Sequence, residues 1–241
     1  EWWGKGFTEW TNVKKAKPVI KGQVQPKVPL NKNYYCLLDD DVKMWQVKIA
    51  KEAGVYGFCY YHYWFNGKML LEKPAEQMLT NKKIDMPFCF SWANEPWSRS
   101  WNGDSKNVIM EQKYGEEKDW VKHFEYLLPF FMDDRYIKEN GKPMFVIYKP
   151  DIMTKCYEMM ECWDRLAKSA GFPGMYFGFQ FPSAFRNREN EEKFDFGIEF
   201  EPLYSRTASL DFLNISTVKG KLSLMCKHPL LFIKISSDKV K

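Results

Sequence analysis

The chain has 241 residues, 45% hydrophobic and 28% charged, a globular composition that argues against disorder. No apolar run approaches the roughly 18 residues needed to span a bilayer, and no basic stretch followed by an apolar one marks a signal peptide, although the chain opens on Glu1 rather than Met. The net charge of +5 sits in residues 215–241, where six Lys accompany one Asp, so the balanced body argues against a nucleic-acid groove.

Asp39-Asp40-Asp41 supplies an N-cap and first-turn acids for a helix. Val42, Trp45, Ile49 and Ala53 recur on one face of that helix, and Gly54 suits its C-terminal cap. Residues 55–61 (VYGFCYY) are a strand run, and residues 72–81, with Pro74 near their start, a helix. A second strand run covers 86–92 (MPFCFSW). Residues 116–131 place Trp120, Phe124, Leu127, Leu128 and Phe131 on one helix face. Strand runs at 143–148 (PMFVIY), 175–180 (MYFGFQ) and 194–200 (FDFGIEF) follow. Between the first two of these, a helix over 156–170 aligns Met159, Met160, Trp163, Leu166, Ala167 and Ala170. The strand runs are near-continuously apolar, as in parallel strands covered on both faces.

Alternating strands and helices describe βα units, either a doubly wound sheet or a TIM barrel. The Gly-rich phosphate turn of a dinucleotide fold is missing from the sequence. The strands are followed instead by aromatic and polar residues, as at the carboxyl-terminal mouth of a (β/α)8 barrel. Such a barrel takes about 250 residues and eight strands, and five are read here. The expectation is one incomplete TIM-like barrel domain over 1–241, lacking its first strand and C-terminal part, with no second domain.

Aromatic residues make up 17% and include ten Trp, a surplus that suggests flat faces for stacking on sugars, bases or a protein. The strongest constellation runs from Ser91 to Trp101 and contains Trp92, Asn94, Glu95, Trp97 and Arg99. Trp covers the apolar face of a sugar, and Asn, Glu and Arg bind its hydroxyls. The alternative is a loop plugged by Trp and held by a Glu95–Arg99 ion pair. Near the end of the first strand, alternation sends Tyr61 and Tyr63 one way and His62 the other. His62 is read equally as a substrate ligand and as a structural histidine. Glu9 and Trp10 lie in a polar aromatic loop that either binds sugar or packs on the surface. Gln180 closes the fourth strand as a candidate hydroxyl ligand. Glu199 is a candidate substrate ligand, and Glu201, two residues on, shares its strand face; the two could form a carboxylate pair, but lying on one side of a sugar ring they are not expected to be acid and base together.

No GxSxG and no zinc-ligand spacing occur, and no metal or cofactor is expected. The six Cys (Cys36, Cys59, Cys89, Cys156, Cys162, Cys226) include no CxxC and suit a reduced, cytoplasmic setting. Cys59 and Cys89 read as small hydrophobes within strands. The basic tail reads as a solvated face or as a peripheral contact for an anionic membrane or polymer.

The segments GKGFTEWTNV, GFCYYHYWFNGKMLLEKP, FCFSWANEPWSRSW, DDRYIKENGKPMFVIYKP and GIEFEP resemble, in order and spacing, the WbsX-type glycosyltransferases. These proteins belong to bacterial lipopolysaccharide and capsule biosynthesis clusters and are similar to glycoside hydrolase family 99. The resemblance implies a (β/α)8 barrel with a sugar site at the carboxyl ends of its strands. Family 99 enzymes are retaining endo-α-mannosidases that work through an anhydro-sugar with two carboxylates. In the family those carboxylates lie in a C-terminal motif resembling NEWxEG. That motif does not occur in these 241 residues. The chain thus resembles an internal fragment, with the catalytic pair expected beyond Lys241. By the same resemblance Glu95 contacts substrate or organises the site.

The expected function is an enzyme, glycosyltransferase or glycoside hydrolase, acting on glycosidic linkages of a surface oligosaccharide or polysaccharide. The alternatives are a non-catalytic glycan-binding module, an inactive truncated homologue, or an interaction scaffold.

Overall fold

The computed structural model describes residues 6–99, 104–181 and 191–202. Trp101, Cys226, the basic tail and the side chains of Glu9 and Arg99 lie outside the described part.

Helix α1 (Glu9–Lys15) precedes α2 (Asp40–Glu52), and the Asp39 carboxylate caps α2 by accepting the Asp41 N–H at 3.0 Å. Strand β1 (Phe58–Phe65) turns through Asn66-Gly67 into β2 (Lys68–Leu70). Both turn residues have positive φ, 47° and 95°, as a two-residue hairpin requires. The turn lengthens β1 past the expected end at Tyr61, so His62, Tyr63, Trp64 and Phe65 are strand rather than loop. Next come α3 (Lys73–Thr80), β3 (Phe88–Trp92), and an antiparallel pair β4 (Trp97–Arg99) and β5 (Asp104–Met110). The chain continues through α4 (Glu117–Phe131), β6 (Lys138–Glu139), β7 (Lys142–Ile147), α5 (Cys156–Ser169), β8 (Tyr176–Phe181) and β9 (Phe196–Glu199).

Strands β1, β3, β7, β8 and β9 pair in parallel and in sequence order. A doubly wound sheet reverses its order at a switch point and carries helices on both faces. Here the order runs one way. One buried cluster joins α2, α3, α4 and α5 to the same sheet face, through Trp64, Phe90, Trp92, Phe145, Ile147, Phe177 and Phe179. The result is a mixed α/β fold around a parallel sheet. Much of the tryptophan surplus is core: Trp64, Trp92, Trp120 and Trp163 are buried, and Trp163 donates its indole N–H to the Trp120 carbonyl at 3.0 Å.

Facing α4, the buried His62 places its Nε2 2.8 Å from Nε2 of the buried His123. The His123 ring stacks on Trp64 at 4.4 Å and 1°. Asp133, also buried, accepts from Arg135 Nε at 2.9 Å, while Arg135 donates to the Ile84 carbonyl at 2.8 Å and joins the end of α4 to the segment entering β3. Burial pushes the Asp133 carboxyl up, but hydrogen bonds from Arg135 and Lys82 outweigh it and hold the group well below the usual carboxylate range.

Two expectations need correction. Helix α2 buries Lys43, Val47 and Ala50, whereas Trp45 and Ile49 are exposed. Lys43 can be inside because its ammonium donates to the Leu37 carbonyl and to Gln77 Oε1 at 3.1 and 2.6 Å and meets Asp40 at 2.8 Å. Trp45→Gln is therefore expected to change stability by no more than about 0.5 kcal/mol, and Val47→Ala to lower it by roughly 1–2 kcal/mol, both read by urea denaturation. The second correction concerns Cys59, which is exposed; its strand neighbour Cys89 is buried as expected.

Candidate functional site

Parallel pairing brings the carboxyl ends of the five strands to one edge of the sheet. His62 is in register with Trp92, and the Ala93 N–H continues the ladder by donating to the His62 carbonyl at 3.0 Å. At this edge a cleft of about 400 Å³ is lined by Tyr61, Tyr63 and Phe65 from β1, by Ala93, Glu95 and Pro96 after β3, by Trp97 and Ser98 of β4, and by Tyr148 after β7.

Side-chain alternation decides which sequence candidates enter it. Tyr61 and Tyr63 project to the cleft side of β1, with ring centroids 6.3 Å apart. Trp97 stacks on Tyr63 at 5.7 Å and 21°, and Tyr61 meets Tyr148 edge-on at 6.1 Å. Burial pushes the phenols of Tyr61 and Tyr148 up, so both remain hydroxyls that donate and accept hydrogen bonds at neutral pH.

Glu95 is half-exposed and forms an ion pair with Lys149, whose Nζ also lies 5.2 Å over the Tyr148 ring. The cation described on Glu95 is thus Lys149, just past the next parallel strand; the Arg99 side chain, the partner considered from sequence, lies outside the described part. Asn94 is fully buried and clamps the same two strand ends. Its amide donates to the Lys149 carbonyl at 2.8 Å and accepts the Lys149 N–H at 2.8 Å. Tyr114 donates to the Asn94 carbonyl at 2.8 Å. Asn94 thus positions Glu95 from beneath rather than facing the cleft.

The other candidates lie elsewhere. His62 and Trp92 point to the helix side of the sheet and are buried, Trp92 donating to the Trp64 carbonyl at 3.1 Å. Of the two readings of His62, the structural one fits its pairing with His123. Gln180 is buried below the cleft, hydrogen-bonded to Ser91 Oγ at 3.0 Å and to Tyr61, and supports the latter. Trp10 packs edge-on against Tyr34 and Tyr35 and donates to the Tyr35 carbonyl at 2.8 Å, and Glu9 opens the same helix α1. Glu199 faces away from Gln180, because Ile198 holds the Gln180 register, and lines a separate hollow with Phe179 and Glu191. Glu201 lies in the turn beyond β9 and so shares no strand face with Glu199. Arg99 ends β4. Among the described residues, no group of three or more His, Cys, Asp or Glu is placed to hold a metal ion, and no helix is long and apolar enough to cross a membrane.

Sequence reasoning missed Tyr148 and Lys149. Tyr148 ends the strand run at 143–148 and Lys149 follows it, much as Glu95 comes just after its own strand, which was the available signal.

The profile of the family described as Glycosyltransferase WbsX matches residues 1–238. Two proteins called "Uncharacterized protein WxcX", from two strains of Xanthomonas campestris pv. campestris, are each 32% identical over 213 residues. The match takes in 87% of this chain and 30% of theirs, so the chain spans under a third of the length of these curated relatives. A solved structure titled "Glycoside hydrolase-like protein" aligns with a TM-score of 0.47 at 10% identity, over 79% of this chain and 61% of that one. The chain belongs to the WbsX glycosyltransferase family.

Proposed function

We propose that the chain forms part of a carbohydrate-active enzyme that acts on glycosidic linkages during assembly of a bacterial lipopolysaccharide or capsule polysaccharide. The observation that carries this reading is the cleft at the carboxyl edge of the parallel sheet, where Tyr63 and Trp97 stack beside Glu95. A sugar ring laid on an aromatic face loses its C–H surface from water, and its hydroxyls then need polar partners. Glu95 accepts from two such hydroxyls, Tyr61 and Tyr148 exchange hydrogen bonds with others, and Lys149 holds the Glu95 carboxylate in place. One-way strand order with helices on one face supports a (β/α)8 barrel, of which residues 1–241 supply a single partial domain. The acid and base fall to a segment resembling NEWxEG outside these residues, so Glu95 binds and orients rather than transfers protons.

A glycan-binding module is the second reading. It is favoured by Glu95 being the carboxylate among the described cleft residues and being engaged by Lys149. The protein is incubated with bacterial surface oligosaccharides, with and without nucleotide-sugar donors, and products are read by mass spectrometry. A hydrolase releases new reducing ends without donor, and a transferase lengthens the glycan only with donor. Binding without either product supports the module. Neither binding nor product overturns both readings.

A further inference from the structure

We propose that Cys59 and Cys89 form a thiol–disulfide pair, with Cys59 the thiol that reacts with peroxide and Cys89 the thiol that resolves it. The pair lies on the cleft side of the sheet, two residues before Tyr61 and Ser91 on their strands, and outside the residues that line the cleft. The two residues are Cα partners in the parallel β1–β3 ladder, so both side chains leave the same face of the sheet at the same level. Neighbouring strands lie about 4.8 Å apart, within the roughly 4.4–6.8 Å Cα separation that disulfides bridge. Both thiols are free. Cys59 is exposed and Cys89 buried, which orders the chemistry: an oxidant in solution reaches Cys59 first.

The thiols also influence each other's ionisation. Hydrogen bonding from Cys89 lowers the Cys59 thiol, although burial opposes it. The same interaction, with burial, pushes the Cys89 thiol far up. The shifts point the same way as the exposure: Cys59 is the thiol that ionises more readily, and Cys89 keeps its proton.

In the first step the Cys59 thiolate attacks hydrogen peroxide. An S–O bond forms, the O–O bond breaks, and the products are Cys59 sulfenic acid and hydroxide. Hydroxide then takes the Cys89 proton, giving water. The Cys89 sulfur attacks the sulfenic sulfur, forms the S–S bond and expels hydroxide. Overall two thiol sulfurs lose two electrons and peroxide is reduced. A dithiol reductant reverses the change.

The 241-residue protein is treated with stoichiometric hydrogen peroxide at neutral pH, alkylated and peptide-mapped. The expected result is a Cys59–Cys89 linked peptide lacking two hydrogens, reversed by dithiothreitol, with the exposed Cys36 still alkylated. Cys59→Ser, a change at an exposed position, is expected to leave Cys89 reduced under the same treatment. Cys59 oxidised to sulfinic or sulfonic acid beside a reduced Cys89, or linked to Cys36 instead, overturns the proposal. Because the wild-type map decides the matter, failure of a variant to fold does not rescue it.

Discussion

Lowering the pH from 6.5 to 5 is expected to destabilise the protein by about 3 kcal/mol through two histidines alone. His62 and His123 are buried against Trp64 and joined Nε2 to Nε2 at 2.8 Å. One nitrogen donates and the other accepts, so at least one ring must be neutral, and burial of both disfavours charge on either. Burial lowers His62 to about 3. Burial, with the neighbouring His62 adding to it, holds His123 well below its ordinary value. In the unfolded chain both return to about 6.5. Between that value and the folded values the unfolded state binds up to two more protons, so stability rises with pH there. The contribution is fully present above about 6.5 and is lost as pH falls, at roughly 1.4 kcal/mol per pH unit for each histidine. Against a typical total of about 5–15 kcal/mol, that is a large fraction. Urea midpoints measured at pH 7, 6 and 5 should fall steeply. The paired change to His62→Phe and His123→Phe should flatten the profile, and NMR should show both wild-type rings neutral until the chain unfolds. Ring titration near 6.5 in the folded protein contradicts the buried pair.

The second large effect falls on the cleft. Trp97→Ala removes the stacking face beside Tyr63, and Glu95→Gln removes a charge-assisted acceptor. Charge-assisted hydrogen bonds are worth roughly 1.5–3 kcal/mol, so glycan affinity or turnover should drop by about ten- to a hundredfold for Glu95→Gln. Trp97→Ala should act to a similar extent. The ion pair with Lys149 provides the control. If Glu95 only ties the two strand ends together, Lys149→Met should reproduce the stability loss of Glu95→Gln, and sugar affinity should not change in either. Thermal melts and glycan titrations on the three variants separate the roles.

The strands and helices were legible in the sequence because burial on both sides of an element leaves an apolar run. Their ends and faces were less so. The extension of β1 to Phe65 depends on the Asn66-Gly67 hairpin, a turn signal easily lost inside an aromatic motif. The buried face of α2 depends on what Lys43 finds at Leu37 and Gln77, a tertiary fact with no local signature. The same division holds at the site. Tyr61, Tyr63, Glu95 and Trp97 follow from aromatic and acidic residues placed after strand runs. Whether a candidate faces the cleft or the helices depends on register, which set His62, Trp92 and Glu199 apart from it, while Gln180 shares the Tyr61 face but lies buried beneath the cleft. The Glu95–Lys149 pair joins residues 54 positions apart and becomes visible only when β3 and β7 are neighbours.

The central claim is that glycan binds where Trp97 and Tyr63 stack, and fluorine NMR of protein carrying 5-fluorotryptophan tests it directly. Trp97 is assigned with Trp97→Phe and the buried Trp163 with Trp163→Phe. Bacterial surface oligosaccharides are then titrated in. The account predicts a saturable shift of the Trp97 resonance while Trp163 holds still. Saturable glycan binding that leaves Trp97 unmoved contradicts it.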